Sequence, residues 1–308
     1  MSLETKSRAI VLHTTRQGDS SLVVHVLDAS AGRQSLYLRG VGMGRNGSAA
    51  AAFHPLSVLE VVTVATPRSS LLYLREYEPL FSLASLRTDI RKSTTAQFVC
   101  EVLWRTLRTG DGDPELFAWL VEGIRALDQC QGVANFAAWW LVGYSALMGF
   151  RPEDNWSEDT PVFDIVSARF QPRLEHLEEA YARFSDRRDK SREESRLFGK
   201  SSPASSMPAE QRSCLRSADS PSGSFRPREA NKPESAGMEI GSSERFKAEE
   251  SLLLHQMLTM TFEEAMVLPL SATRRSAFSH RMLGYLSHHL GQSLDIRSLD
   301  VLHAVFAD

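Results

Sequence analysis

The first eighty residues alternate on a period of two. Arg8-Ala9-Ile10-Val11-Leu12-His13 is a β-branched run that stops at Gln17-Gly18-Asp19, and Ser21 to Leu27 (SLVVHVL) runs up to Asp28-Ala29-Ser30-Ala31-Gly32. In Gln34 to Arg39, Leu36 and Leu38 alternate with Ser35, Tyr37 and Arg39. Leu56 to Val64 (LSVLEVVTV) ends at Thr66-Pro67-Arg68, and Leu71 to Tyr77 is the last such run. Five short strands punctuated by turn residues predict a small barrel or sandwich, of which a closed antiparallel barrel is the one expected. No long helical pattern separates them, which argues against parallel β-α-β units.

From Leu80 the period lengthens. Val99, Val102, Leu103, Thr106 and Leu107 share one helical face, with Glu101, Arg105 and Arg108 opposite. Asp113-Pro114-Glu115 is a helix start, and Phe117, Leu120, Val121, Ile124 and Leu127 form the stripe that follows. Val133 to Phe150 carries no charge and reaches the lower length of a membrane span. It holds Asn135, Gly143, Ser145 and Gly149, lacks basic flanks and has no second such stretch beside it. A helix apolar all round is then the centre of a helical domain. Pro161 to Phe170 reads as a short strand pair or an extended segment. Helices are predicted again over Ser251 to Leu268, Thr273 to Leu290 and Ser293 to Phe306. Between them, Ser185 to Glu250 is dense in Ser, Arg, Glu, Pro and Lys. Such a composition buries too little apolar surface to offset chain entropy and predicts a disordered insertion. The predicted domains are a barrel over 1–79, a helical domain over 80–184 and 251–308, and the insertion over 185–250.

Charge sharpens this picture. The chain as a whole carries −3, so it is no polycation, but residues 1–68 hold seven basic against four acidic residues. A locally positive front segment suits a polyanionic partner. The three cysteines, Cys100, Cys130 and Cys214, include no C-x-x-C, which excludes a zinc ribbon and favours a reduced setting. The N-terminus lacks the apolar run of an export signal, so a cytoplasmic location is expected.

Two chemistries compete for the stretch RGVGMGRNGSAAAAFHP, residues 39–55. Gly42 to Gly47 spells G-x-G-x-x-G, the spacing of a dinucleotide loop. That reading needs a crossover helix after the third glycine, and only Ser48 to Phe53 is available before His54-Pro55. Glu60, near the distance of a ribose-binding acid, sits in an apolar strand. No G-K-[ST], G-x-S-x-G or H-E-x-x-H occurs. His280 and His288 share a helix but stand about 12 Å apart along its axis, too far for a local metal pair. Glu178-Glu179 and Glu263-Glu264 read as solvated helix faces. No catalytic residue, cofactor or metal site is therefore expected. The alternative is a loop that meets phosphates through backbone and arginine. Arg39 and Arg45 flank it, and Arg16, Arg33 and Arg68 fall in or near turns. Tyr37 alternates with Arg39, as Tyr73 and Tyr77 do with Arg75, which suits a stacking surface for bases. The predicted nucleic-acid contacts are Arg39, Arg45, Arg16, Arg33, Arg68 and Tyr37.

The order of these features resembles a known family. IVLHTTRQGDSSLVVHVLDASAGRQSLYLRGV and FHPLSVLEVV are similar to the N-terminal part of RecO, the bacterial recombination mediator. PLFSLASLRTDIRKSTTAQFVCEVLWRTLR resembles the first helices of its second domain, and GQSLDIRSLDVLHAVF its closing helix. The resemblance implies an OB-fold followed by a helical domain. It implies binding to single- and double-stranded DNA and annealing of complementary strands. It also implies contacts with RecR and with the tail of single-stranded DNA-binding protein, and help in loading RecA. Many relatives carry C-x-x-C pairs that this chain lacks, so it resembles the zinc-free form. Its loop after Arg39 is also poorer in Lys and Arg than is usual. Two other readings are an enzyme that holds a nucleotide at Gly42–Gly47 and a scaffold that binds only protein.

Overall fold

The computed structural model describes residues 4–18, 21–39, 52–65, 72–110, 112–173 and 245–307. Contacts divide the chain into one unit of Met1–Gln171 with Glu244–Asp308 and another of Pro172–Ser243. The described residues belong to the first unit, apart from Pro172 and Arg173. The Gly42–Gly47 loop, Arg45, Arg68 and the expected insertion as far as Glu244 lie outside the described residues.

The five predicted strands are all present: β1 (Glu4–Arg16), β2 (Ser21–Asp28), β3 (Gly32–Arg39), β4 (Val58–Val64) and β5 (Leu72–Pro79). They close into an OB-fold barrel in the order β1-β2-β3-β5-β4. The closure corrects one expectation. Neighbouring strands run antiparallel except β3 and β5, which are parallel through Leu36↔Leu72 and Tyr37↔Tyr73. A ring with an odd number of strands cannot alternate direction all the way round, so one parallel pair is unavoidable. Alternate residues such as Val24, Leu36, Leu59 and Leu74 fill the barrel.

β1 also serves a second core. Ala9 and Val11 point into the barrel, whereas Ile10 and Leu12 pack with the helices. A register shift between Val11 and His13 interrupts the alternation. The bulge lets Leu12 and His13 both face the helical side.

The helices are α1 (Ala84–Thr88), α2 (Ile90–Thr106), α3 (Pro114–Gln129), α4 (Phe136–Leu147), α5 (Ala248–Thr259), α6 (Phe262–Val267), α7 (Ala272–Leu290) and α8 (Ser298–Val305). Asp113 caps α3 by accepting from the backbone N–H groups of Glu115 and Leu116, with Pro114 first in the helix, as its sequence predicts. The uncharged segment forms α4, the buried centre of the helical core. Trp140 and Tyr144 stack there at 4.7 Å, and the Tyr144 hydroxyl meets that of Thr106. Gly143 lets Trp119 approach closely, because a Cβ would stand 2.8 Å from its ring and force it to shift. No helix among the described residues is long and apolar enough to cross a membrane.

Three boundaries differ from expectation. The helix expected over Ser251 to Leu268 breaks at Met260, and Thr261 with Glu264 forms a capping box that starts α6. The last helix begins at Ser298 rather than Ser293. Gly291 ends α7 at φ 64°, and the Glu101 carboxylate of α2 accepts from the N–H groups of Arg297 and Ser298. Finally, Phe246 is 2 % exposed and α5 starts at Ala248, so the helical core resumes before Ser251.

The helical domain is not purely helical. Of the two readings for Pro161 to Phe170, the strand pair is present, as β6 (Val162–Asp164) and β7 (Arg169–Gln171). Phe163 packs on Phe170 and Phe246, and Arg245 donates to the Gln171 side chain at 3.2 Å. The two described ends of the intervening segment are therefore pinned side by side.

Candidate nucleic-acid interface

The parallel closure of the barrel creates its most distinctive outer feature. Tyr37 and Tyr73 are paired residues on β3 and β5, and their rings meet edge to face at 5.4 Å and 90°. Arg39, two residues along β3, lies on the same face. Its guanidinium carbon stands 5.6 Å from the Tyr37 ring centre and 5.5 Å from that of Tyr73. The Tyr37 hydroxyl donates to Ser21 Oγ at 2.8 Å across the β2–β3 ladder. Ser21, whose hydroxyl can turn to donate to the phenolate, and then Arg39 hold the Tyr37 phenol below its ordinary pKa. Both rings are half-buried and Arg39 is exposed. Two rings and one exposed cation thus share the β2–β3–β5 face, the OB-fold surface suited to oligonucleotides.

The other predicted contacts scatter. Arg16 is exposed at the end of β1, but it pairs with Leu22, whose side chain enters the barrel, so it sits at the rim rather than on the tyrosine face. Arg33 is engaged elsewhere. Its guanidinium stacks 4.2 Å from the Trp104 ring of α2 and donates to the Trp104 carbonyl. This arginine fastens the barrel to the helices. Arg75 is paired with Glu4 and, at 3.6 Å, with Glu76. Tyr77 leans on Phe53 at 4.6 Å against the barrel core.

The β1–β4–β5 side has the opposite character. Glu60 binds Lys6 at 2.6 Å, and Glu76 and Glu78 lie close enough to raise the lysine's pKa further. Glu60 is thus committed to an ion pair. β4 runs antiparallel to β1 and β5 and does not touch β3. That topology is not the β-α-β unit a dinucleotide fingerprint requires.

The pattern of residues gave no sign of one cluster. His13 stacks on His25 at 4.1 Å, and both rings meet Trp104 edge to face at 4.6 and 4.9 Å. Burial first, and then the positive Arg33, lower the His13 pKa. Burial, His13 and Arg33 lower that of His25 to about 4. Beside them, Leu12, Pro55, Gln97 and Arg105 help to line a cleft of about 460 Å³. A second cleft, of about 320 Å³, is walled by Leu27, Leu107, Leu116, Met148 and Leu290 together with the exposed Arg108 and Asp113.

Comparison with known proteins agrees with this architecture. Residues 1–83 match the family model described as Recombination protein O N terminal, and residues 87–157 match Recombination protein O C terminal. Several similar proteins are named DNA repair protein RecO. That of Phocaeicola vulgatus is 31 % identical over 166 residues, covering 54 % of this chain and 69 % of the relative. That of Christiangramia forsetii is 29 % identical over 166 residues, covering 54 % and 69 %. That of Bacteroides fragilis is 28 % identical over 177 residues, covering 57 % and 73 %.

Proposed function

The chain belongs to the RecO family of DNA repair proteins, and from that premise we propose that it is a non-enzymatic mediator that holds DNA on the β2–β3–β5 face of its barrel. The observation that carries this reading is the Tyr37–Tyr73 pair capped by the exposed Arg39. Unstacked bases of a single strand lie on the rings, and Arg39 meets the phosphates. Arg45 and Arg68, which lie outside the described residues, are proposed as further phosphate contacts, and Arg16 contributes from the rim. Duplex DNA is held through phosphates alone. Annealing then requires no acid, base or nucleophile. Two strands are brought together while bound cations screen their repulsion, and the paired product stacks on itself and leaves the tyrosines.

In this role the protein anneals complementary strands and helps to load RecA on gaps coated by single-stranded DNA-binding protein, with RecR as a partner. The carboxyl tail of the coating protein would enter the 320 Å³ cleft, where the leucines would take apolar side chains and Arg108, which shares the lining with Asp113, the terminal carboxylate. Arg108→Glu is expected to weaken binding of a fluorescent tail peptide about tenfold or more. Unchanged peptide affinity would remove this cleft from the reading.

A salt titration tests the DNA contact itself. Affinity for an oligonucleotide falls linearly with the logarithm of salt, and Arg39→Glu reduces that slope by about 1. The same variant binds about tenfold more weakly at low salt. A slope and affinity equal to wild type would leave the tyrosine face without a role in DNA binding and favour a protein-only scaffold.

A further inference from the structure

We propose that His280, Asp300 and His303 form a binding site for a divalent transition-metal ion of the zinc class, joining α7 to α8. One ligand atom from each of the three side chains lies within 4.8 Å of the other two. His280 stands on α7, while Asp300 and His303 are three residues apart on α8 and share its face. The two imidazole centres are 5.3 Å apart.

The state of His303 supports an absent ligand. Its Nδ1 lies 2.9 Å from Ser276 Oγ. With Nδ1–H donating to that hydroxyl, the lone pair stays on Nε2. That Nε2 is buried and has no hydrogen-bond partner. Buried polar atoms are almost always satisfied, and an orphan calls for a reason. A metal ion on Nε2 supplies one. Anchoring one ring nitrogen through a hydroxyl while the other faces the ion is how proteins fix ligating histidines.

His280 and Asp300 are exposed, and among the described residues neither is held by a hydrogen bond or ion pair. They can close onto an ion by rotamer change alone. Tetrahedral zinc with bonds of about 2.0–2.1 Å needs its ligand atoms closer than they now stand, by about 1.5 Å at most. Arg275 is the nearby opposing charge. Its guanidinium is turned to the carbonyls of Leu270 and Phe306, and the Asp300 carboxylate offsets its field at the ion. Two imidazoles and one carboxylate suit zinc and its transition-metal neighbours; magnesium and calcium, which favour oxygen ligands, do not fit. Three protein ligands leave one position for water. The site uses no cysteine. Bound metal would staple the last helix to the bundle.

The test uses the full chain, freed of metal by a chelator and titrated with Co²⁺, which zinc then displaces. Wild type is expected to take up one equivalent with the visible absorption of a tetrahedral site. His280→Gln and Asp300→Asn, both at exposed positions, are each expected to weaken binding about tenfold or more, and Ser276→Ala about tenfold. Zinc, and not magnesium, is expected to raise the melting temperature of wild type but not of the His280→Gln/Asp300→Asn double variant. Circular dichroism checks that the double variant is folded. Absence of stoichiometric uptake by wild type overturns the proposal, as does a double variant that binds the ion as tightly as wild type.

Discussion

Replacing both Tyr37 and Tyr73 with alanine lowers affinity for a single-stranded oligonucleotide by about thirty- to a thousand-fold, or about 2–4 kcal/mol. On the proposed reading the rings stack against bases, and such stacking is worth about 1–3 kcal/mol per base. The rings also hold Arg39 near both centroids, so their removal loosens the cation proposed to meet the phosphates. Duplex affinity falls less, because paired bases are not available to stack. The double Phe variant keeps the faces and loses only the hydroxyls, so it retains most of the affinity. The fold survives, since Tyr37 and Tyr73 stand on the outer face, outside the barrel and helical cores; the edge-to-face pair itself accounts for about 1 kcal/mol. Fluorescence anisotropy with matched single and double strands reads the result. A double alanine variant that binds the single strand within about twofold of wild type would show that the DNA path lies elsewhere.

This site was half legible in the sequence. Tyr37 and Arg39 alternate on one strand, and period two places them on one face without any structure. Tyr73 carried the same pattern, but its meeting with Tyr37 depends on the parallel β3–β5 register, which local alternation does not encode. Strand count does encode the need for one parallel pair, though not which pair. Arg33 misled for a similar reason. In sequence it is a turn arginine beside Gly32; in space its partner is Trp104, and nothing within a window of strand length announces that contact. His280 failed in the opposite sense. Spacing along α7 correctly separates it from His288, but the ring that approaches it is His303 of α8. The break before α6 was readable, because Thr261-Phe262-Glu263-Glu264 is a capping box. The apolar periodicity on either side obscured it. Elements governed by local chemistry were therefore visible, and those governed by long-range register were not.

The His13–His25 stack makes the junction between barrel and helices sensitive to acid. Both rings have pKa values below their ordinary range, His25 at about 4, because burial beside Trp104 and the positive Arg33 oppose a second charge. In the unfolded chain they titrate near pH 6.5. As pH falls through that range the unfolded state takes up protons that the folded state refuses, so stability is lost. The stabilisation is complete above about pH 6.5, and His25 ceases to add to the loss below about pH 4, where its ring is protonated in the fold as well. The full shift of His25 corresponds to about 3 kcal/mol. Its ring is partly reached by solvent, which reduces the expected loss to about 1–2 kcal/mol. Urea denaturation between about pH 7 and pH 4.5 measures this, with His25→Gln as the comparison. The variant starts somewhat less stable, having lost the stack, but its stability declines less as pH falls. His303, also depressed by burial and by His280, contributes a loss of the same sign that persists in the variant, so the difference between the two curves isolates His25. Parallel curves would mean that the junction opens to water before the imidazoles titrate. A converging pair would tie acid sensitivity to β2, where Ser35 of β3 holds His25 Nδ1 at 2.9 Å, two residues from Tyr37 on the proposed DNA face.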